Sequence, residues 1–351
     1  MKSLNVLVLL SLCCLFACNK KVTGPIETHI QVDCRILDKN FQQLKSYSGT
    51  YCAFFPNGEW ISITGKVIDL HSKTNQLRVH FPQMGHHEIK LSKDEAKIFF
   101  LSTEIRDFKG KKTRFDVINI SDRNGALVAR WDLFEHLDEL YQKLDLTPFD
   151  KMIPTESFDE NFPDSKYEFS HLNAIYEIPK NNLEKSFPYM KEGNLLVTFN
   201  GLGSVVVFDP ELKRIEFIYR VLKTNLLGIS DGQILPNGHL LIFKNTNTSN
   251  KHLYSSINEY DLQKNSSVWN YDLNEKEFTH IPDNGAVQLL SNNNIFITES
   301  SGSMGRMLEV NRKGEVVRVQ LNDMLDSRTK KPSNIYRAKK INLEKFLEFN
   351  F

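Results

Sequence analysis

Surplus charge is what this sequence most conspicuously lacks: 44 Lys and Arg stand against 43 Asp and Glu in 351 residues, a formal net charge of +1. That balance removes the basic footprint of a nucleic-acid binder and any general pull toward an acidic membrane surface. Cysteine is scarce as well, with five in the chain. Cys13, Cys14 and Cys18 sit near the N-terminus, which leaves only Cys34 and Cys52 for the rest. Two cysteines define neither a metal site nor a framework of crosslinks. The default reading is two small buried side chains, and a disulfide is the alternative in an exported protein. Also missing are a Gly-rich phosphate loop, a Gly-x-Ser-x-Gly elbow, a His-Glu-x-x-His helix and a Cys-x-x-Cys pair. His86-His87-Glu88 cannot chelate a metal alone, because neighbours in a strand point to opposite faces. No metal and no cofactor is implied.

The N-terminus has its own pattern. Lys2 gives a positive start, Leu4 to Leu12 is almost wholly apolar, and Leu15-Phe16-Ala17-Cys18 closes the segment. This is the shape of a bacterial export signal, too short for a comfortable membrane span. Leu-Phe-Ala-Cys resembles a lipobox, so residues 1–17 are expected to be a signal peptide, Cys18 a lipidated N-terminus and 18–28 a polar tether. An uncleaved anchor or an ordinary secretory signal is the alternative. The expected location is the bacterial cell envelope, lipid-anchored on its periplasmic or extracellular face, with the membrane as a partner through that anchor.

The remainder repeats one phrase. An apolar run broken by a turn, as in Phe55-Pro56-Asn57-Gly58 and Leu235-Pro236-Asn237-Gly238, is followed by an alternating strand ending in an acid or amide. After a turn comes another apolar strand; copies start near Val67, Phe115, Val205, Ile257 and Met307. Period-2 alternation broken by Asn-Gly and Lys-Gly marks antiparallel hairpins, and the recurrence marks a repeat architecture. Read as four strands each, units fall at about 50–82, 86–133, 171–222, 230–273 and 284–321. Residues 29–47 supply two outer strands of a sixth, and 334–341 its inner strand. The fold expected is therefore all-β, a six-bladed β-propeller over 29–351 closed by strands from both termini, an arrangement that leaves few free edges. Seven blades is the alternative, with the region around 134–166 as the extra one. That region reads instead as an insertion: Phe134, Leu137, Leu140, Tyr141 and Leu144 have helical spacing, and a Pro- and acid-rich loop follows. Trp131 and Trp269, at matching points of fourth strands, are expected to pack between blades.

In a propeller, the residues just before the inner strands meet at one mouth of the central channel. Here they are Thr50, His86-His87, His171 with Asn173, Ser230-Asp231, Asn284-Gly285 and Asn334-Ile335-Tyr336-Arg337. Converging donors of this kind suit a small polar or anionic molecule. Each has a plainer reading. A lone histidine before a strand is more often a structural donor, Asn and Asp close turns, and Arg337 can be a surface pair.

At these residues the chain resembles the bacterial arylsulfotransferase family, a set of exported six-bladed propellers. The phrases that carry the resemblance run from Gly85-His86-His87-Glu88-Ile89 through Asp116-Val117-Ile118 to Trp131-Asp132-Leu133-Phe134-Glu135-His136. They continue with His171-Leu172-Asn173-Ala174-Ile175, Gly193-Asn194-Leu195-Leu196-Val197, Asp231-Gly232-Gln233-Ile234-Leu235-Pro236-Asn237-Gly238 and Tyr336-Arg337-Ala338. Members move a sulfuryl group from an aryl sulfate to a phenol through a sulfated histidine. The resemblance implies His171, His87 and Ser230 as catalytic positions, and His86, Asn173, Asn200, Asp231 and Arg337 as substrate contacts. His171 and Asn173 match the family's His-x-Asn pair, and His86 or His87 its first histidine, with His87 favoured. Two positions depart: Ser230 stands where the family has its nucleophilic histidine, and Asn200 where it has an arginine. A serine could take the group with His171 or His87 as base. The implied partners are an aryl sulfate or phenol. The competing readings are a non-catalytic envelope propeller binding an anionic aromatic ligand, and a protein scaffold.

Overall fold

Each sheet in this chain ends on a hairpin whose turn is tied by a short polar side chain. Asp122 Oδ1 accepts from the backbone N–H groups of Asn124 and Ala126 at 2.8 and 2.9 Å, and Asn311 does the same for Lys313 and Glu315. Asp38, Ser72, Asp209 and Asp261 occupy the equivalent place in the other four sheets. This is the physical role of the acid or amide, or in blade 1 the serine hydroxyl, that ends the third strand of each repeat: its oxygen satisfies turn amides that no strand can reach.

The structure, a computed structural model, describes residues 28–146, 155–156, 162–181, 183–221, 226–247, 253–273, 285–300, 305–321 and 335–343. The expected signal segment, Cys18, nearly all of the tether, part of the 134–166 insertion, Asn284 and Asn334 lie outside the described residues. Six antiparallel sheets form a six-bladed β-propeller. Blade 1 spans 51–81, blade 2 84–132, blade 3 172–220, blade 4 226–272 and blade 5 285–321. Blade 6 takes its inner strand from Ala338–Ile341, paired antiparallel with His29–Val32, and its outer two from Arg35–Asp38 and Gln43–Ser46. In blades 1 to 5 the first four strands pair in chain order, and the inner strands touch in succession from blade 1 through blade 6.

The core lies between the blades. Trp131 of blade 2 is 2% exposed and meets Phe199 and Phe208 of blade 3 edge-on, at ring centroid distances of 6.0 and 5.0 Å. Trp269 donates from Nε1 to the Arg312 carbonyl of blade 5 at 3.0 Å. Both tryptophans thus join neighbouring blades. Rings of this size contribute about 3 kcal/mol each when buried. Gly85 allows blade 2 to meet blade 1 closely, since a Cβ there would lie 2.6 Å from Ile68.

No seventh blade appears among the described residues. Helix α1 (Leu133–Lys143) is capped by Asp132, whose side chain accepts from the Phe134 amide, and it buries Leu133, Leu137, Leu140 and Tyr141. Beyond it, Thr155–Glu156 and Tyr167–Glu168 add to blade 2 instead of starting a sheet, the latter running parallel to Thr113 and Arg114. Cys34 and Cys52 correct the default sequence reading, for they form a disulfide that ties blade 6 to the inner strand of blade 1. The tight turn at Asp33, with φ of 51°, brings the two Cα atoms to 5.0 Å, well inside disulfide range.

Candidate functional site

Three inner strands open on an irregularity. The pairing of blade 2 slips between His86 and Ile89, that of blade 3 between Leu172 and Ala174, and that of blade 4 between Ile229 and Asp231. Such bulges re-aim side chains at the rim of a sheet. His87 and His171 sit there in left-handed backbone, with φ of 57° and 50°. Bulky residues adopt that region only when their surroundings enforce it, at a cost of about 1–3 kcal/mol each.

The result is a cluster of rings. His87 packs against His171 at 4.7 Å between centroids, against His86 at 4.9 Å and against Tyr336 at 5.5 Å. Tyr51 stacks on His87 from blade 1 and meets Tyr336 edge-on. His86 Nδ1 lies 2.7 Å from His87 Nδ1, so one of the two carries the shared proton. The other nitrogen of His86 is 3.1 Å from Asp116 Oδ1 but off the line of a good hydrogen bond. Asp116 is fixed in turn, accepting from the Ser170 hydroxyl at 2.5 Å and the Leu172 amide at 3.1 Å.

The two central histidines are driven apart in protonation. Burial, together with the fields of His171, His86 and Arg337, holds His87 well below the usual imidazole value. His171 goes the other way: burial opposes its charge, but its Nδ1 is 3.0 Å from Glu168 Oε1, and that carboxylate with Asp116 raises it. Glu168 is itself held down to about 2; burial works against ionisation, and His171 and Arg114 overcome it. Arg114 is 5% exposed, 3.0 Å from Glu168, and donates to the Ser165 carbonyl at 2.7 Å. An imidazole held toward its neutral form beside one held toward its charged form is the arrangement that nucleophile-and-acid chemistry needs.

Arg337 crosses the axis. Its Nη1 lies 3.0 Å from Glu88 and 3.1 Å from Asp231, while Nη2 donates to the carbonyls of Asn173 at 2.6 Å and Ser230 at 3.0 Å. One side chain from blade 6 thereby holds blades 2, 3 and 4. Burial disfavours its charge, and Glu88 and Asp231 more than restore it. Asp231 is positioned by the Gly232 and Val287 amides at 2.9 and 3.0 Å.

The remaining expected contacts are distributed unevenly. Asn173 is fully buried with neither amide atom partnered. Ser230 is 1% exposed, and its hydroxyl accepts from Asn245 at 2.8 Å, which in turn accepts from Ser255. That chain runs into blade 4, not toward the histidines. Asn200 follows the strand Leu195–Phe199; its amide donates to the His171 carbonyl at 3.1 Å. Its side chain fills the place of a missing side chain at Gly228, where a Cβ would lie 1.4 Å from Asn200 Oδ1. Thr50 spends its amide on Ile63 within blade 1. Sequence reasoning missed Asp116 as a site residue, along with Arg114, Glu168 and Tyr51. Glu168 had one signal, its three-residue spacing from His171. Among the described residues, no three His, Cys, Asp or Glu side chains are grouped to hold a metal ion.

Against known proteins, a family model described as Arylsulfotransferase (ASST) matches residues 84–322. No curated protein matches the chain. Among solved structures, a protein of unknown function from Bacteroides caccae aligns with a TM-score of 0.51 at 13% identity, covering 84% of this chain and 93% of that one. The Dos1 propeller aligns with a TM-score of 0.43 at 11% identity, covering 85% of this chain and 62% of that one. The Cps50 (Swd1) β-propeller domain of Myceliophteria thermophila gives 0.42 at 11% identity, covering 85% and 86%. These likenesses concern the fold. With more than half of its length, including every histidine of the ring cluster, inside the matched span, the chain belongs to the arylsulfotransferase family.

Proposed function

We propose that this protein moves a sulfuryl group from an aryl sulfate to a phenolic acceptor, with His87 in place of Ser230 as the group's carrier. The observation that carries the reading is the pair His87 and His171, 4.7 Å apart and shifted in opposite directions. With Nδ1–H of His87 donated to His86, the Nε2 lone pair of His87 faces the substrate. It attacks sulfur, the S–O bond to the aryl group breaks, and the departing oxygen takes the bond's electron pair. His171, whose Nδ1–H is engaged by Glu168, supplies the proton from Nε2 to that oxygen. In the return half, an acceptor phenol gives its proton to His171 and its oxygen attacks sulfur; the N–S bond breaks and its electrons return to His87. Tyr51 and Tyr336 supply ring faces for the aryl group.

The His171 side chain keeps 30% of its surface, whereas the Ser230 hydroxyl is engaged within its blade. This supports His87 and His171 over the serine. The test is release of 4-nitrophenolate from 4-nitrophenyl sulfate with added phenol. His87→Asn and His171→Ala abolish it, and Ser230→Ala stays within about threefold of wild type. Activity that survives His87→Asn but not Ser230→Ala would return the role to the serine. Saturable binding of aryl sulfates without any product would favour the ligand-binding reading.

The same reading sets the protein in the cell envelope, anchored through a lipid on Cys18 after loss of residues 1–17. The Cys34–Cys52 disulfide supports an oxidising compartment. Metabolic labelling with palmitate checks it: Cys18→Ser loses the label and leaves the membrane fraction.

A further inference from the structure

The inner strands continue past the histidine mouth, and the residues that come later on them surround a cavity of about 420 Å³. Its wall includes Arg337, Glu88 and Asp231 but none of His86, His87 or His171. An adjoining hollow of about 480 Å³ shares Lys90, Lys93 and Lys339 with it. The volume is that of a small-molecule pocket. Ile89, Leu91, Val287 and Leu289 give it apolar wall and Tyr176 aromatic wall, while Tyr51, which stacks on His87, stands at its boundary with the mouth.

Its cations are paired except for one. From blade 2, Glu88 is shared by Arg337 and Lys90, and Lys93 pairs with Glu192. From blade 3, Glu177 accepts from the Lys93 amide. From blade 4, Asp231 is held by Arg337 and two amides. Within blade 6, Asp33 accepts from the Tyr336 and Arg337 amides. Lys339 alone has no hydrogen bond or ion pair of its side chain among the described residues, although its neighbour Lys340 is paired with Glu309. An ammonium without a counterion in a half-enclosed chamber gains from a bound anion.

We propose that this chamber is a second ligand site, separate from the histidine mouth, which takes a small organic anion with an apolar body, such as an aromatic carboxylate, on Lys339. Burial, with the field of Lys90, brings the free amine down to about 8. A bound anion stabilises the ammonium, so binding above that pH takes up a proton and weakens by about tenfold per pH unit.

Calorimetric titration of the full chain with benzoate tests this. Wild type binds at pH 7, loses affinity above pH 8, and shows buffer-dependent heat of proton uptake at pH 8.5. Lys339→Met weakens binding at least tenfold. Lys339→Arg, which stays charged, binds with a flat profile to pH 9.5 and keeps the test decisive if the methionine variant does not fold. Acetate, which lacks the apolar body, binds at least tenfold more weakly than benzoate. Three results overturn the proposal: benzoate affinity unchanged in Lys339→Met, a flat wild-type profile across pH 7–9.5, or binding lost in His87→Asn instead, which assigns benzoate to the histidine mouth.

Discussion

Arg337 Nη1 stands 3.0 Å from Glu88, and both side chains are almost withdrawn from solvent, at 14% and 6% exposed. Blade 6 is thus tied to the strand that carries His86 and His87, one residue beyond them. The same nitrogen reaches Asp231, so one guanidinium serves two enclosed carboxylates, Glu88 with help from Lys90 and Asp231 with help from two amides. Removing one partner of a buried charge group costs about 3–5 kcal/mol, chiefly for the charges left behind. Arg337→Met is therefore expected to lower the urea midpoint by an amount in that range. Arg337→Lys recovers little of it, because a single ammonium cannot serve two carboxylates and two carbonyls at once.

The His171–Glu168 pair gives stability a defined pH window. Glu168 falls from an ordinary 4.5 to about 2, so its contribution is complete above 4.5 and disappears as pH drops toward 2. His171 is raised above 6.5; its contribution is complete below 6.5 and disappears as pH climbs through the raised value. The pair contributes most between about 4.5 and 6.5. Thermal melts across pH 2–9 on wild type and Glu168→Gln check this, with both flanks shallower in the variant. His87 has the opposite sign, since its neutral form is the one favoured by the fold, and acid below 6.5 works against it.

Turnover is expected to follow the same groups. With His87 neutral through the working range, the acid limb of kcat/KM is displaced well below pH 6.5, and the alkaline limb reports loss of the His171 proton. Glu168→Gln moves the alkaline limb to lower pH. A limb that stays in place separates His171 from proton delivery.

The left-handed backbone at His87 sets stability against chemistry. Glycine adopts a φ of 57° without the Cβ penalty, so His87→Gly is expected to retain or raise the melting temperature, by about 1 kcal/mol in stability, while activity is lost. A variant that loses both would show that the ring itself, and not the backbone it strains, holds the mouth together.

The crosslink between blades 6 and 1 spans 18 positions, a loop whose closure contributes about 3 kcal/mol. Reduction, or the Cys34→Ala and Cys52→Ala double variant, is expected to lower the denaturant midpoint accordingly. Equal midpoints with and without reductant sink this expectation.

The recurring phrase made the blades legible in advance because hairpin turns are local: Asn57-Gly58, Asp122, Asn237 and Asn311 announce them within a few residues. The histidines were legible for a related reason, since position before an inner strand is a matter of counting. What sequence could not reveal was the second rank. Asp116 reads as one more acid in an alternating strand until Ser170 and Leu172, more than fifty positions on, close on it. Tyr167–Glu168 is too short to signal a strand and pairs in parallel with a distant partner. Ser230 drew attention by standing where a histidine belongs, yet its direction is set by Asn245 in the next strand. Likewise nothing local distinguishes Lys339 from Lys340; which of them finds a carboxylate is decided by blade 5.

The inner strand of blade 6 has a consequence for incomplete chains. Ala338–Ile341 covers the hydrogen-bonding edge of His29–Val32, across some three hundred intervening positions. A product that stops before Ala338 leaves that edge bare beside apolar Ile30 and Val32, a template on which a second unfinished molecule can align its own strand. Fidelity at the far end of translation thus guards solubility at the near one.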